Sequence, residues 1–156
     1  MVMATSEHTA HEQPTPSWQD PATVERMLDE QETWAVVGLS GDPSRTAYSI
    51  AALLQQRGKR IVPVHPSFAD PATPAVLGEQ GYASLADIPF AVDVVDVFRR
   101  SDAAGQFADE AVEIGAGGVW FQLGVVDEDA FARTTAAGVP MVMDTCPAIE
   151  WRRRGA

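Results

Sequence analysis

Nine consecutive residues have the types that suit a phosphate-binding loop. Gly38 and Gly41 let a ligand approach the backbone closely. Ser40 and Ser44 carry hydroxyl groups, and Arg45 can form two parallel hydrogen bonds to a phosphate. A helix is predicted to follow at once, and its first N–H groups would favour an anion. A tight strand-to-helix turn also favours these residue types on structural grounds alone, so both interpretations are open. The run reads Gly38-Leu39-Ser40-Gly41-Asp42-Pro43-Ser44-Arg45-Thr46.

This loop differs from the common nucleotide-binding motifs. Counted from Gly38, the G-x-G-x-x-G pattern needs glycines where the chain has Ser40 and Pro43. NAD-binding domains also place Asp or Glu at the end of the second strand, but here that strand ends with Val64 and His65. A Walker motif would need Gly-Lys-Ser/Thr, which does not follow the loop. The sequence therefore disfavours NAD.

Other reactive residue types do not form a recognisable catalytic or metal-binding set. Cys146 is a candidate nucleophile beside a predicted helix N-terminus. Its possible base, His65, follows a strand expected on the other side of the sheet, so a Cys–His pair is not expected and a buried structural cysteine is favoured. Asp93 and Asp96 should face opposite sides of a strand. No zinc-ligand spacing is present.

Short apolar segments alternate with helical ones along the chain, which predicts the layout that positions these residues. The pattern is typical of an α/β, Rossmann-like doubly wound sheet of about five parallel strands with helices on both faces. Residues 1–17 are predicted to be a disordered tail, and 18–156 a single domain. Strands are expected over 34–37, 60–64, 92–98, 118–122 and 140–143, with Trp34, Trp120 and Phe121 in the core. Helices are expected over 21–30, 46–56, 101–114, 127–137 and 146–154, with helical turns at 75–78 and 84–88 in the irregular stretch 66–90.

Composition limits the class of protein. The net charge of −11 argues against a nucleic-acid binder. No run approaches ~18 apolar residues, which argues against a membrane protein. The start of the chain lacks the features of a signal peptide and Cys146 stands alone, so a cytoplasmic location is expected. Self-association into a homo-dimer through an exposed edge strand is left open.

Five blocks along the chain together resemble a known family. They are residues 38–45, 62–66, 94–100, 119–124 and 143–146, and they occur in the right order at compatible spacing. The sequence resembles the small, stand-alone CoA-binding-domain proteins of bacteria, which are similar to the CoA-binding domain of the succinyl-CoA synthetase alpha subunit. The resemblance covers roughly residues 25–153.

The resemblance implies that coenzyme A or an acyl-CoA binds at the carboxyl ends of the strands. The first loop would then hold the phosphates, the end of the second strand would flank the adenine or ribose, and the ends of the third and fourth strands would face the same crevice. The residues implied for the phosphates are Gly38, Leu39, Ser40, Gly41 and Arg45. Those for the remaining parts are Val64, His65, Pro66, Phe98, Arg99, Arg100, Gln122 and Gly124.

The sequence leaves two points about the anion-binding residues open. Arg99 and Arg100 suit a phosphate, but equally a solvated pair bonded to Asp96 or Asp102. The family usually has a basic residue at the position of Thr145. If that side chain holds an anion in relatives, this chain lacks it unless Arg152 or Arg153 replaces it.

Three functions are compatible with these features. The first is a non-catalytic module that binds CoA, since the synthetase's phosphohistidine belongs to another domain for which 156 residues leave no room. The second is an NAD(P)-dependent oxidoreductase on the same fold, and the third is a regulatory protein with a vestigial nucleotide crevice. Uptake of CoA but not NAD separates the first from the others.

Overall fold

The structure is a computed structural model that describes residues 17–155. The predicted tail therefore lies, except for Ser17, outside the described residues. All five predicted strands and all five helices are confirmed, with ends that differ by no more than two residues. The strands are β1 Thr33–Val37, β2 Arg60–Val64, β3 Val94–Val97, β4 Gly118–Phe121 and β5 Met141–Val142. The helices are α1 Pro21–Glu30, α2 Thr46–Gln56, α3 Ser101–Glu113, α4 Glu128–Ala136 and α5 Pro147–Arg153.

Helix ends form where the local sequence favours them. The Asp20 side chain accepts a hydrogen bond from the N–H of Thr23 at 3.0 Å and caps α1. Asp127 caps α4 in the same way through the N–H of Ala130. Beyond α2, Gly58 takes a positive φ of 86°, which a glycine adopts without the steric cost that a Cβ would add. These signals lie within a few residues of each helix end, which is why the sequence predicts them.

The five strands form one parallel sheet in the order β2-β1-β3-β4-β5. The Rossmann-like fold class is thus confirmed. In this order the chain leaves β1 toward β2 on one side and returns to β3 on the other, so β1 and β3 flank the switch point. Loops that leave the two strands diverge there and open a crevice at the carboxyl edge of the sheet.

Two apolar layers cover the sheet. Helices α1, α2 and α5 cover one face, where Trp34 and Trp120 are fully buried with ring centroids 5.7 Å apart. Helices α3 and α4 cover the other face, where Phe121 is fully buried. The three aromatic residues predicted for the core are therefore there. Among residues 17–155, no helix combines the length and apolar character needed to cross a bilayer.

The irregular stretch after β2 contains an unpredicted 3-10 turn at Pro66–Ala69, one expected turn and one turn that differs from the prediction. A short 3-10 turn at Leu85–Asp87 agrees with the prediction for 84–88. The helical turn predicted at 75–78 is wrong. Val76 and Glu79 instead exchange two backbone hydrogen bonds of 2.9 Å around Leu77 and Gly78, which have φ values of 52° and 81°. Positive φ at both central residues is the geometry of a hairpin turn, and Gly78 makes it accessible.

Both outer strands are covered along part of their length. Beside β2, Tyr82 donates its N–H to the carbonyl of Pro63 and accepts from the N–H of His65. Pro63 has no N–H of its own, and its place on the outer strand costs no ladder bond. Beyond β5, the N–H of Met143 donates to the carbonyl of Trp18 at 3.0 Å.

A fully buried carboxyl group lies on the central strand of the sheet. Asp96 in β3 is fully buried, and its Oδ1 accepts a hydrogen bond of 2.6 Å from Nε2 of Gln122. Its Oδ2 has no hydrogen-bond partner among the described residues. Burial raises the pKa of Asp96 to about 8, although the bond from Gln122 acts in the opposite direction. At neutral pH this carboxyl is therefore mostly protonated.

The buried carboxyl predicts a pH-dependent stability. Between the ordinary pKa of 3.8 and the folded value of about 8, folding takes up a proton at Asp96. The contribution of Asp96 to the free energy of unfolding is therefore fully present below the lower pKa. It is lost as the pH rises toward the upper pKa, by up to about 1.4 kcal/mol per pH unit. Asp96→Asn should flatten that slope in urea unfolding measured from pH 5 to 8. The exposed Asp87→Asn is the control for a change of charge, and equal slopes in wild type and Asp96→Asn would contradict the assignment.

Candidate functional site

A cavity of about 600 Å³ opens at the switch point, where the loops after β1 and β3 face the end of β2. We call it the main crevice. The first loop contributes Gly38, Ser40, Ser44 and Arg45 to its lining, and the ends of the other two strands contribute four more predicted residues. Those four are His65, Pro66, Phe98 and Arg99. The structure thus brings together eight residues, named from the sequence, from three separate stretches of the chain.

Gly38 allows the two loops to come close. Its φ is +101°, and a Cβ at this position would lie 3.0 Å from the carbonyl oxygen of Phe98. The N–H of Gly38 donates to the carbonyl of Val64 at 2.8 Å, and the N–H of Phe98 donates to the carbonyl of Val37 at 2.9 Å. Any side chain at position 38 would strain the backbone and press against Phe98, the residue after β3.

Asp42 organises the rest of the first loop. Its Oδ1 accepts hydrogen bonds from the N–H and the hydroxyl of Ser44, at 3.0 and 2.7 Å. Its Oδ2 lies 3.7 Å from Nε of Arg45, and both side chains are exposed. The bonds from Ser44 and, more weakly, the charge of Arg45 lower the pKa of Asp42. The carboxylate therefore holds the loop in shape while leaving Arg45 at the mouth of the crevice.

The N-terminus of α2 lies at the crevice. Arg45 is the N-cap residue with extended backbone angles, and its side chain makes no capping hydrogen bond. Thr46 and Ala47, the first two helical residues, line the crevice. The first N–H groups of a helix have no acceptor within the helix, so this end of α2 suits an anion.

His65 and Arg99 form the opposite wall. Nδ1 of His65 accepts a hydrogen bond of 3.1 Å from the N–H of Ser67, so the proton of the neutral ring lies on Nε2. Burial lowers the pKa of His65, and the positive charges of Arg99 and Arg45 lower it further. The imidazole is thus a neutral hydrogen-bonding group, while the two guanidinium groups supply the positive charge.

A second cavity of about 320 Å³ adjoins the main crevice on the side of α3. We call it the side chamber. It shares four lining residues with the main crevice: Gly38, His65, Pro66 and Arg99. Val64, which the resemblance implied for the site, lines this chamber.

Five residues implied by the resemblance lie apart from the lining of both cavities. Leu39 is fully buried in the core, and Gln122 is buried with its amide bonded to Asp96. Arg100 is exposed and pairs with Asp102 at 3.2 Å, which was the alternative for this arginine. The remaining two are loop glycines: Gly41, and Gly124, whose N–H donates to Oδ1 of Asp144 at 2.7 Å.

In the stretch near the C-terminus, the side chains singled out from the sequence bond to each other. Thr145 donates its hydroxyl hydrogen to Oε2 of the buried Glu150 at 2.5 Å, and Arg153 bonds to the same oxygen at 3.0 Å. Arg153 therefore neutralises Glu150. Cys146 is half-buried as the N-cap residue of α5 and is absent from the lining of the main crevice. Over residues 17–155, no group of three or more His, Cys, Asp or Glu side chains is placed to hold a metal ion.

Some lining residues were missed by sequence reasoning. Thr46 ends the proposed loop but was not named as a binding residue, and Ala47 follows it; the predicted helix start was a usable signal for both. Ser84, Gln106 and Glu110 line the side chamber, but they lie in an irregular loop and on a helix without a local motif. Ser84 reaches this cavity on the segment that pairs with the outer edge of β2, and Gln106 and Glu110 reach it only because the crossover brings α3 there.

Known proteins match this chain over nearly the same stretch as the resemblance seen in the sequence. A family model described as a CoA binding domain matches residues 32–152. The uncharacterized protein YneT of Bacillus subtilis (strain 168) is 34% identical over 125 residues, or 80% of this chain and 89% of YneT. A hypothetical protein from Pyrococcus horikoshii OT3 has a TM-score of 0.82 and 28% identity, over 93% of this chain and 99% of that one. A solved structure from Thermus thermophilus has a TM-score of 0.77 and 33% identity, over 86% and 98%.

The geometry around His65 predicts how its titration responds to its neighbours. Arg99→Ala should raise the pKa of His65, because a positive charge that opposes protonation is removed. NMR titration of the ring protons measures this, with the His65 signal assigned from its absence in His65→Gln. Arg26→Ala, an exposed arginine on α1, should leave the titration unchanged. An unaltered pKa in Arg99→Ala would show that the guanidinium does not act on this ring.

Proposed function

The chain belongs to the CoA-binding domain family, and from that premise we propose that its main crevice binds coenzyme A or an acyl-CoA. The phosphates would lie against the first loop and the N-terminus of α2. The nucleotide end would extend toward the end of β2, and the pantetheine arm would extend out of the crevice.

One observation supports this proposal above all. In a chain with a net charge of −11, Arg45, Arg99 and the N-terminus of α2 meet at one cavity. CoA carries a pyrophosphate and a 3′-phosphate, which need several cationic or N–H donors within reach of one another. Arginine is well suited to this role because its guanidinium can donate two parallel hydrogen bonds to a phosphate.

The end of β2 favours CoA over NAD. In NAD-binding domains an acidic residue at this place accepts hydrogen bonds from the ribose hydroxyls. Here His65 takes that place, with Arg99 on the same cavity wall. A phosphate on the ribose fits these groups better than a free 2′,3′-diol, because Arg99 and the Nε2–H of His65 are donors.

We propose a binding module without chemistry of its own. Nδ1 of His65 accepts from the backbone N–H of Ser67, so this nitrogen is not available as a base. The nucleophile candidate Cys146 is absent from the lining of the main crevice. These placements favour a protein that holds or delivers the carrier.

Calorimetric titration with CoA, acetyl-CoA and NAD tests the proposal. We expect CoA to bind and NAD not to bind. Arg45→Ala and Arg99→Ala should each weaken CoA binding by roughly tenfold or more, because each removes a charged hydrogen-bond donor. Arg26→Ala removes the same kind of side chain from the surface of α1 and should leave the affinity unchanged.

The opposite results are equally informative. Binding of NAD without CoA would support the oxidoreductase alternative. No binding of any of the three by protein with a normal thermal transition would support a regulatory protein with a vestigial crevice. CoA binding that both arginine variants retain in full would place the ligand elsewhere.

A further inference from the structure

Another cavity lies at the edge of the sheet opposite the main crevice. Its volume is about 290 Å³, which exceeds many times over the ~30 Å³ that one water molecule occupies in the liquid. Glu32 and Lys59 line it and directly precede β1 and β2, so it lies at the amino ends of these strands. We call it the amino-edge cavity. Among residues 17–155, its lining has no member in common with the main crevice or the side chamber.

Two cations in the lining of the amino-edge cavity are held in place without an acidic partner. The guanidinium of Arg57 lies 4.6 Å from the centroid of the Trp151 ring, and Nζ of Lys59 donates to the carbonyl of Gln31 at 2.8 Å. Within the described part of the chain, neither cation forms an ion pair. A stacked guanidinium still presents its edge, which donates two parallel hydrogen bonds to a carboxylate. These two side chains therefore suit the carboxylate of a ligand.

Negative charge lines the same cavity. Nη2 of Arg154 donates to both carboxylate oxygens of Asp29, at 2.9 and 3.1 Å, whereas Glu32 forms no ion pair within residues 17–155. Both carboxylates act on Lys59, where they oppose the lowering of its pKa by burial. Helices α1 and α2 also end here, and the partial negative charge of a helix C-terminus favours a cation. Glu32 is thus placed to accept hydrogen bonds from an ammonium group.

The two sets of charges favour a ligand that carries both signs. A phosphate or another multiply charged anion would be repelled by the two carboxylates, and a simple cation would be repelled by Arg57 and Lys59. A zwitterion satisfies both sets. The apolar residues of the lining, Leu28 and Trp151, are only 3% and 5% exposed, so they offer little surface to a large apolar group. The ligand is therefore expected to be compact.

We propose that the amino-edge cavity binds a free α-amino acid with a small side chain. Its carboxylate would accept hydrogen bonds from Arg57 and Lys59, and its ammonium group would donate to Glu32. An α-amino acid carries its two charges on neighbouring atoms, as a cavity lined by both signs requires. This site is separate from the proposed CoA site and does not depend on it.

The only lysine of the chain makes a direct test possible. Protein grown with ¹³C-labelled lysine reports on the cavity through the single ε-methylene signal of Lys59 in NMR. L-alanine should shift this signal saturably at neutral pH and constant ionic strength. Two matched probes are L-lactate, in which a hydroxyl replaces the ammonium group, and L-alaninamide, which lacks the carboxylate. Each should bind about tenfold or more weakly than L-alanine, because one charge-assisted interaction is lost.

Two variants assign the charges to residues. Glu32→Gln should remove the preference for L-alanine over L-lactate, because the partner of the ammonium group is lost. Arg57→Gln should remove the preference for L-alanine over L-alaninamide, because the main partner of the carboxylate is lost. Glu113→Gln and Arg26→Gln make the same changes at exposed positions outside the cavity, and both should keep the wild-type preferences.

Several results would overturn the proposal. One is a Lys59 signal that L-alanine leaves unmoved in folded wild type. Another is binding of L-lactate or L-alaninamide as tight as that of L-alanine, since the cavity would then recognise a single charge. If Glu32→Gln or Arg57→Gln keeps the full preference, the role of that residue is wrong. A thermal transition measured for each variant identifies loss of binding that is caused by unfolding, and the three probes on wild type then decide.

Discussion

The missing side chain at Gly38 sets how closely the loops after β1 and β3 approach each other. With a φ of +101° and the carbonyl oxygen of Phe98 only 3.0 Å from the place of a Cβ, this position tolerates no other residue without movement. The loop after β1 can therefore turn directly across the end of β3. As a result, Arg45 from one loop and Arg99 from the other reach the same cavity. The concentration of positive charge at the site thus depends on the absence of a side chain at Gly38.

Near the crevice, the negative charge of Asp42 partly balances the positive charge of Arg45. The chain as a whole repels anions, and that repulsion is screened beyond about 10 Å at ordinary ionic strength. Within the loop, Asp42 holds Arg45 at 3.7 Å in an exposed pair. Exposed pairs contribute little, so a phosphate can replace the carboxylate as partner without a large loss. The bonds from Ser44 go to Oδ1 of Asp42 and not to Oδ2, which faces Arg45, so that exchange does not require them to break.

The features that sequence reasoning predicted are those set by neighbouring residues. The helix cap at Asp20, the glycine after α2 and the loop from Gly38 to Arg45 each depend on a few consecutive positions. The hairpin turn at Leu77 was missed because a leucine in the left-handed region is unusual, and Gly78 alone did not indicate it. The side chamber could not be found from sequence. Gln106 reaches it only because β3 returns beside β1, so that α3 and the end of β2 line the same cavity.

The segment that covers the outer edge of β2 also forms a wall of the binding region. His65 gives its backbone N–H to Tyr82 at that edge, and its ring lines both cavities; Ser84, two residues after Tyr82, lines the side chamber. Detachment of this segment would therefore open the cavities and expose an unpaired strand in one event. An unpaired strand edge can pair with a second chain, so the segment that completes the cavity walls also shields the outer edge of β2 from such pairing.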